Sequence, residues 1–219
     1  IEVNSGSVVF SNTTSLEFYS TLNSLTINGG DFELKDNTTF ITSVGTNITV
    51  NEGNFSVLDF VSIVFNGVTM LVRGNAYFED QTSTIWTNSS LTIETLIDPA
   101  SLYFSDSSIH NFQDSTVSVL GGSLYFSDST ESTASGTNFT VQSGIVLLSE
   151  TTSVSLNDSS SLDILTGSLS MIEFSTLFME DSFLNMVSAG GDFTAVANAT
   201  VTLFNTPVTI DGGSIDFSE

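Results

Sequence analysis

The chain has 219 residues, of which 25 are Asp or Glu while Lys35 and Arg73 are the only bases, for a net charge of −23. That balance argues against nucleic acid, whose counterions Lys and Arg must displace, and against anionic membranes or polysaccharides as direct ligands. Hydrophobic residues nevertheless make up 40% of the chain and include 18 Phe, which excludes a disordered acidic tail, and the absence of Cys removes disulfide and thiolate chemistry.

Ser and Thr account for 66 residues, a composition that with Val, Ile, Phe and Gly favours strands and tight turns. No apolar run reaches the length of a membrane-spanning helix, so membrane insertion is not expected. The sequence opens on Ile1 rather than Met and reads as a processed product or as part of a longer one.

The segment Ser101–Ser107 (SLYFSDS) recurs 22 residues later at Ser123–Ser129. The same phase divides the chain into nine units of 21–26 residues: 7–30, 31–53, 54–74, 75–100, 101–122, 123–144, 145–167, 168–191 and 192–213. Partial units 1–6 and 214–219 flank them. A period in the low twenties sustained over a whole chain is the signature of stacked coils.

In chain order within a unit, the second and fourth residues are apolar, as in Phe32/Leu34, Leu102/Phe104, Leu124/Phe126 and Leu169/Met171. This alternation predicts a strand with one face buried. A looser middle strand follows, marked by Leu16/Phe18, Ile85, Ile109, Val154/Leu156, Leu177 and Val201/Leu203. A third strand carries pairs such as Leu25/Ile27, Ile48/Val50, Val117/Val119 and Leu162/Ile164. Each unit then ends in Gly, with Ala100 the exception, which suggests positive φ or a close backbone approach. Three short strands per unit predict a single all-β domain spanning 1–219, a parallel β-helix whose coils lie roughly 4.8 Å apart.

The segments GGDF (29–32 and 190–193), GGSL (121–124) and GGSI (212–215) each lead into Phe-containing strands such as F-S-N or F-S-D. These repeats resemble those of right-handed parallel β-helices of the pectin-lyase-like class. They are also similar to the Gly-Gly-Ala-apolar and Phe-x-x-Asn repeats of polymorphic outer-membrane adhesins, although here the Asn or Asp follows Phe by two places. The resemblance implies the architecture, its right hand and a surface-exposed, adhesive setting.

The sixth position of each unit reads Asn12, Asp36, Asp59, Asp80, Asp106, Asp128, Glu150, Glu173, Ala197 and Glu219. Strand parity would direct it inward, where an unpaired carboxylate cannot stay ionised, so the strand is expected to turn here. One reading is an Asx-type turn in which the side chain accepts backbone N–H groups. The other is a carboxylate ladder from Asp36 to Glu173. Neighbours about 5 Å apart repel by about 0.8 kcal/mol even in water, so weak Ca²⁺ association is a corollary, although no dedicated calcium loop motif is present. No other cofactor is implied.

Eight N-x-[S/T] sequons begin at Asn12, Asn37, Asn47, Asn54, Asn88, Asn138, Asn157 and Asn198. None takes an apolar strand position, so all are candidates to carry covalent glycans. Enzyme signatures fail one by one. His110 stands alone on a middle strand, Lys35 and Arg73 fall in different coils, and no P-loop, dinucleotide fingerprint, nucleophile elbow or zinc motif appears.

Ile1–Gly6 reads as the last strand and turn of a coil, and 214–219 as the first strand of another. The expectation is an extracellular, glycosylated and non-catalytic structural protein that polymerises end to end through Ile1, Val3, Ile215 and Phe217. An adhesin stalk binding glycans or surfaces is the alternative, and a degenerate polysaccharide-processing β-helix a third reading.

Overall fold

Alternation in each unit becomes strand, and each change of pattern becomes a corner, in a computed structural model that describes residues 1–19, 23–94, 99–187 and 191–218. The result is a parallel β-solenoid of about nine coils, each with three short strands. Three sheets run its length. The first begins with Val8–Phe10 and ends with Ile215–Ser218, ten strands in all. The second has nine strands, from Ser15–Glu17 to Thr200–Phe204, and the third has ten, from Glu2–Val3 to Val208–Ile210.

Every strand pairs in parallel with the equivalent strand of the next coil. Register places like on like: Ala76, Leu102, Leu124 and Val146 form one inner column, and Phe78, Phe104, Phe126 and Leu148 form another. Parallel pairing therefore turns the sequence repeat directly into stacked side chains. The rings of Phe78 and Phe104 stack with centroids 5.3 Å apart, and those of Phe104 and Phe126 at 5.2 Å. Each fully buried Phe contributes about 1.5–3 kcal/mol of transfer free energy, and one continuous core holds most of them.

The middle strands differ from expectation at two points. Ile85 and Ile109 lie on the strands Ser83–Thr87 and Ile109–Gln113 but face outward, 43% and 46% exposed. Their neighbours Thr84, Trp86, His110 and Phe112 take the inner positions. Trp86 and Phe112 supply enough apolar area to fix that parity, and Thr84 and His110 are carried inward with them.

The Gly column at the unit ends is explained by close approach more than by φ. A Cβ on Gly74, whose φ is not in the left-handed region, would lie 2.0 Å from the Gly53 carbonyl oxygen of the preceding coil. At Gly167, where φ is +147°, it would lie 1.6 Å from that of Gly144. Backbone meets backbone at this corner, so no side chain can swing away. Ala100 ends the 26-residue unit, the longest of the nine.

Gly167→Ala is expected to lower stability by about 3 kcal/mol, from overpacking and backbone strain together. Gly6→Ala, where a Cβ meets nothing within 4 Å but φ is +87°, should cost only about 1 kcal/mol. Chemical denaturation of the two variants beside the parent chain measures the difference.

Candidate functional site

The acidic column is a built feature of the corner between the first and second sheets. Every described member has left-handed φ: Asn12 61°, Asp36 53°, Asp59 65°, Asp80 59°, Asp106 58°, Asp128 60°, Glu150 60°, Glu173 63° and Ala197 54°. Glu219 lies outside the described residues. Asn and Asp enter this region at the least cost among residues with a Cβ, which accounts for their prevalence here.

The carboxylates accept backbone N–H groups, but from the coil before rather than from their own turn. Asp80 Oδ2 accepts the N–H of Asp59 at 3.2 Å, Asp106 Oδ2 that of Asp80 at 3.5 Å, and Asp128 Oδ2 that of Asp106 at 3.3 Å. Ser127 adds a hydroxyl donor to Asp128 at 3.1 Å. Asp59, Phe60, Asp80, Gln81, Asp106 and Ser107 line a shallow groove of about 250 Å³ along this edge.

Proximity within the ladder shifts its neighbours. Burial, followed by the charges of Asp106, Asp80 and Asp128, raises the carboxyl of Glu79 above its ordinary range. A side-chain hydrogen bond with Asp128 and the charge of that group raise Glu150. Among the described residues no three acidic or His side chains converge into a group suited to a metal ion. The arrangement is thus a stripe of field along a corner, with one acid per coil, and not a chelating cage.

Two other corners carry hydrogen-bond ladders that sequence reasoning missed. At the start of each coil a side-chain oxygen accepts the N–H of the equivalent residue one coil on: Asp31 from Asn54 at 2.7 Å, Asn54 from Asn75 at 3.0 Å, and Asn75 from Ser101 at 2.8 Å. Ser101 and Ser123 continue the series at 3.0 Å each. At the corner before the third sheet, Ser115 Oγ accepts from Ser89 N–H, Thr137 Oγ1 from Ser115 N–H and Ser160 Oγ from Thr137 N–H, at 3.1–3.2 Å. The signal for the first was a small polar residue opening most units, and for the second a Ser or Thr just before the third strand.

Six sequon asparagines are exposed, namely Asn12, Asn37, Asn47, Asn88, Asn138 and Asn198; Asn54 and Asn157 are half-buried. Asn54 is further engaged through its Oδ1 in the ladder above. The basic residues are both in ion pairs, Lys35 with Glu33 at 2.7 Å and Arg73 with Glu94 at 2.8 Å. Arg73 also donates to Asn51, which caps an outer amide ladder in which Asn28 donates to Asn4 and Asn51 to Asn28.

His110 is fully buried, and burial lowers its pKa to about 3. Its Nδ1 lies 2.8 Å from Thr84 Oγ1, which also accepts the indole N–H of Trp86 at 3.0 Å. The imidazole is enclosed by the rings of Phe104 and Phe78 at 4.3 and 5.8 Å. This places it in the core, away from Lys35, Arg73 and the acidic stripe.

The outer face of the first sheet carries a third unanticipated feature. Tyr77, Tyr103 and Tyr125 occupy register-matched outward positions. Their rings stack nearly parallel, 12° and 7° apart in plane, with centroids 4.9 and 4.7 Å apart. Burial by its neighbours raises the Tyr77 phenol above its usual pKa. The signal was the third letter of NAYF, SLYF and SLYF, between two inner residues.

The expected polymer-contact residues lie at the two ends. Ile1, Ile215 and Phe217 are exposed and Val3 is half-buried. No protein-family model and no curated protein matches the chain.

Two measurements test this electrostatic picture. Replacing Asp80 and Asp106 with Asn keeps the left-handed preference and removes charge, so stability should rise by about 0.8 kcal/mol per relieved pair at low ionic strength and the gain should shrink in ~1 M salt. The pH dependence has opposing parts. His110 is neutral in the fold and protonates on unfolding below about 6.5, so its contribution is complete above that pH and is lost on acidification toward about 3. Between pH 6.5 and 5 the loss is about 2 kcal/mol, absent from a His110→Phe chain. Glu79 and Glu150, raised in the fold, act the other way: their penalty is complete above their folded pKa values and fades as pH falls toward the ordinary carboxylate range. Urea midpoints across pH 7 to 4 read both trends.

Proposed function

We propose that the chain is a structural rod, a subunit of an extracellular, glycosylated filament or surface fibre in which copies stack head to tail. The observation that carries this reading is the geometry of the two ends. Among the described residues three parallel sheets repeat from coil to coil along one axis, and the outermost strand of each has one edge without a partner, a template for further strands. Beside those edges lies uncovered apolar surface: Ile1 is 66% exposed, Phe204 62%, Phe217 61% and Ile215 53%. At the far end Ala195, Val201, Leu203 and Phe217 help to line a groove of about 830 Å³.

A contact between unlike ends does not close on itself and builds a filament. The net charge of −23 keeps rods apart sideways, while the surface offered along the axis includes Ile1, Phe204, Ile215 and Phe217. Exposed sequons at the corners support an extracellular setting with covalent glycans, and the right-handed, pectin-lyase-like or adhesin-like affinity of the repeats accords with it. On this reading the chain is not an enzyme, and the acidic stripe gathers Ca²⁺ only as a loosely held counterion.

A second reading, an adhesin stalk that binds glycans or surfaces through its flanks, is favoured by the tyrosine stack, since outward aromatic rings offer contact area at little entropic cost.

Electron microscopy of the native protein is the test. Unbranched fibres with an axial rise of ~45 Å, from some nine and a half coils at ~4.8 Å, are expected. Phe217→Asp with Ile215→Asp should leave folded but isolated rods. Isolated rods from the parent chain at every concentration would sink the filament and favour the stalk.

A further inference from the structure

The structure assigns a binding site for one internal water molecule in the core, between His110 Nε2 of one coil and Ser132 Oγ of the next. Both atoms are buried and lack a hydrogen-bond partner among the described residues. They belong to register partners on adjacent strands, so the two side chains are direct neighbours in one inner column.

Satisfying every donor in this cluster selects the tautomer. An indole N–H only donates, and that of Trp86 occupies Thr84 Oγ1 at 3.0 Å. A hydroxyl oxygen accepts through two lone pairs, so this bond alone leaves the direction open. Among the described residues, however, His110 Nδ1 at 2.8 Å is the acceptor that meets the single Thr84 proton, and satisfying that proton makes Nδ1 the acceptor. A neutral ring carries its remaining proton on Nε2. Phe104 and Phe78 lie against the ring, and no protein acceptor among the described residues meets Nε2.

The following coil fills less of the interior with side chain. Along the second sheet the two inner columns read Ile63, Thr84, His110, Ser132, Val154 and Phe65, Trp86, Phe112, Ala134, Leu156. Unit 123–144 alone in this stretch places small side chains, Ser132 and Ala134, at both inner positions. A water fits where the space is polar and has two or more partners. Here it accepts from His110 Nε2–H and donates to Ser132 Oγ.

The other two unpartnered hydroxyls, Thr152 and Ser175, do not compete for the role. They stand in a separate corner column, whose members Thr38, Thr82 and Thr130 donate to the carbonyl three residues back.

The test is nuclear magnetic resonance on the deuterated, ¹⁵N-labelled full chain, with ordinary water as the probe. Expected are a neutral His110 ring protonated at Nε2 and magnetisation transfer from that proton to a long-lived water. In Ser132→Ala the water loses one anchor, and the transfer should fall several-fold. A proton on Nδ1, an Nε2–H without transfer in the parent chain, or undiminished transfer in Ser132→Ala would each overturn the site. The parent-chain measurement decides the question even where the variant does not fold.

Discussion

Everything in this molecule depends on the in-register approach of equivalent backbone positions in successive coils. The Gly column sets the tightest point: at Gly167 there is no room for even one carbon between its own position and the carbonyl of Gly144. Once that corner is fixed, strand parity on either side follows. Each paired strand residue then sits above and below its register partners, so its side chain is chosen for compatibility with its own kind. Phe stacks on Phe, Tyr on Tyr and Asn on Asn because the geometry leaves few other neighbours.

Polar groups are handled by the same logic. Corners leave backbone N–H groups outside the sheet ladders, and an unpaired buried N–H is costly. Side-chain oxygens of the neighbouring coil accept them at all three corners. At one corner the turn also demands left-handed φ, which Asp and Asn tolerate, and the price is a line of like charges. Glu150, Glu173 and Ala197 take the same φ without an intrinsic preference for it, so there the turn imposes the conformation on the residue. Acidity along this edge is thus partly a by-product of backbone geometry.

Much of this was legible in the residues themselves. The 22-residue spacing of the SLYFSDS segments, the Gly column and the alternation of positions two and four determine coil, corner and core without further information. The middle strand was harder because Ile85 and Trp86 are adjacent apolar residues of opposite parity, and Ile109 and Phe112 likewise conflict. Bulk decided in favour of the rings, which carried His110 inward against the usual rule for polar residues. The ladders at the corners and the tyrosine stack escaped notice because they are relations between units, visible only after the coils are superposed. The acidic column is visible in the sequence, with an Asx-type turn and a ladder as its two readings, but that the N–H groups it accepts belong to the preceding coil is not, because a single unit displays only local turn chemistry.

Parallel pairing in every sheet has a mechanical consequence. The hydrogen bonds that join coils lie along the rod's long axis, so tension spread over the whole cross-section strains all three sheets together. Tension applied through the polypeptide itself acts on the outermost coil alone and peels it strand by strand, while the coils beneath stay paired. Each coil of 21–26 residues then releases roughly 75 Å of chain before the next one bears the force. A rod of this construction is stiff under a distributed pull and extensible, in even steps, under a pull on its ends.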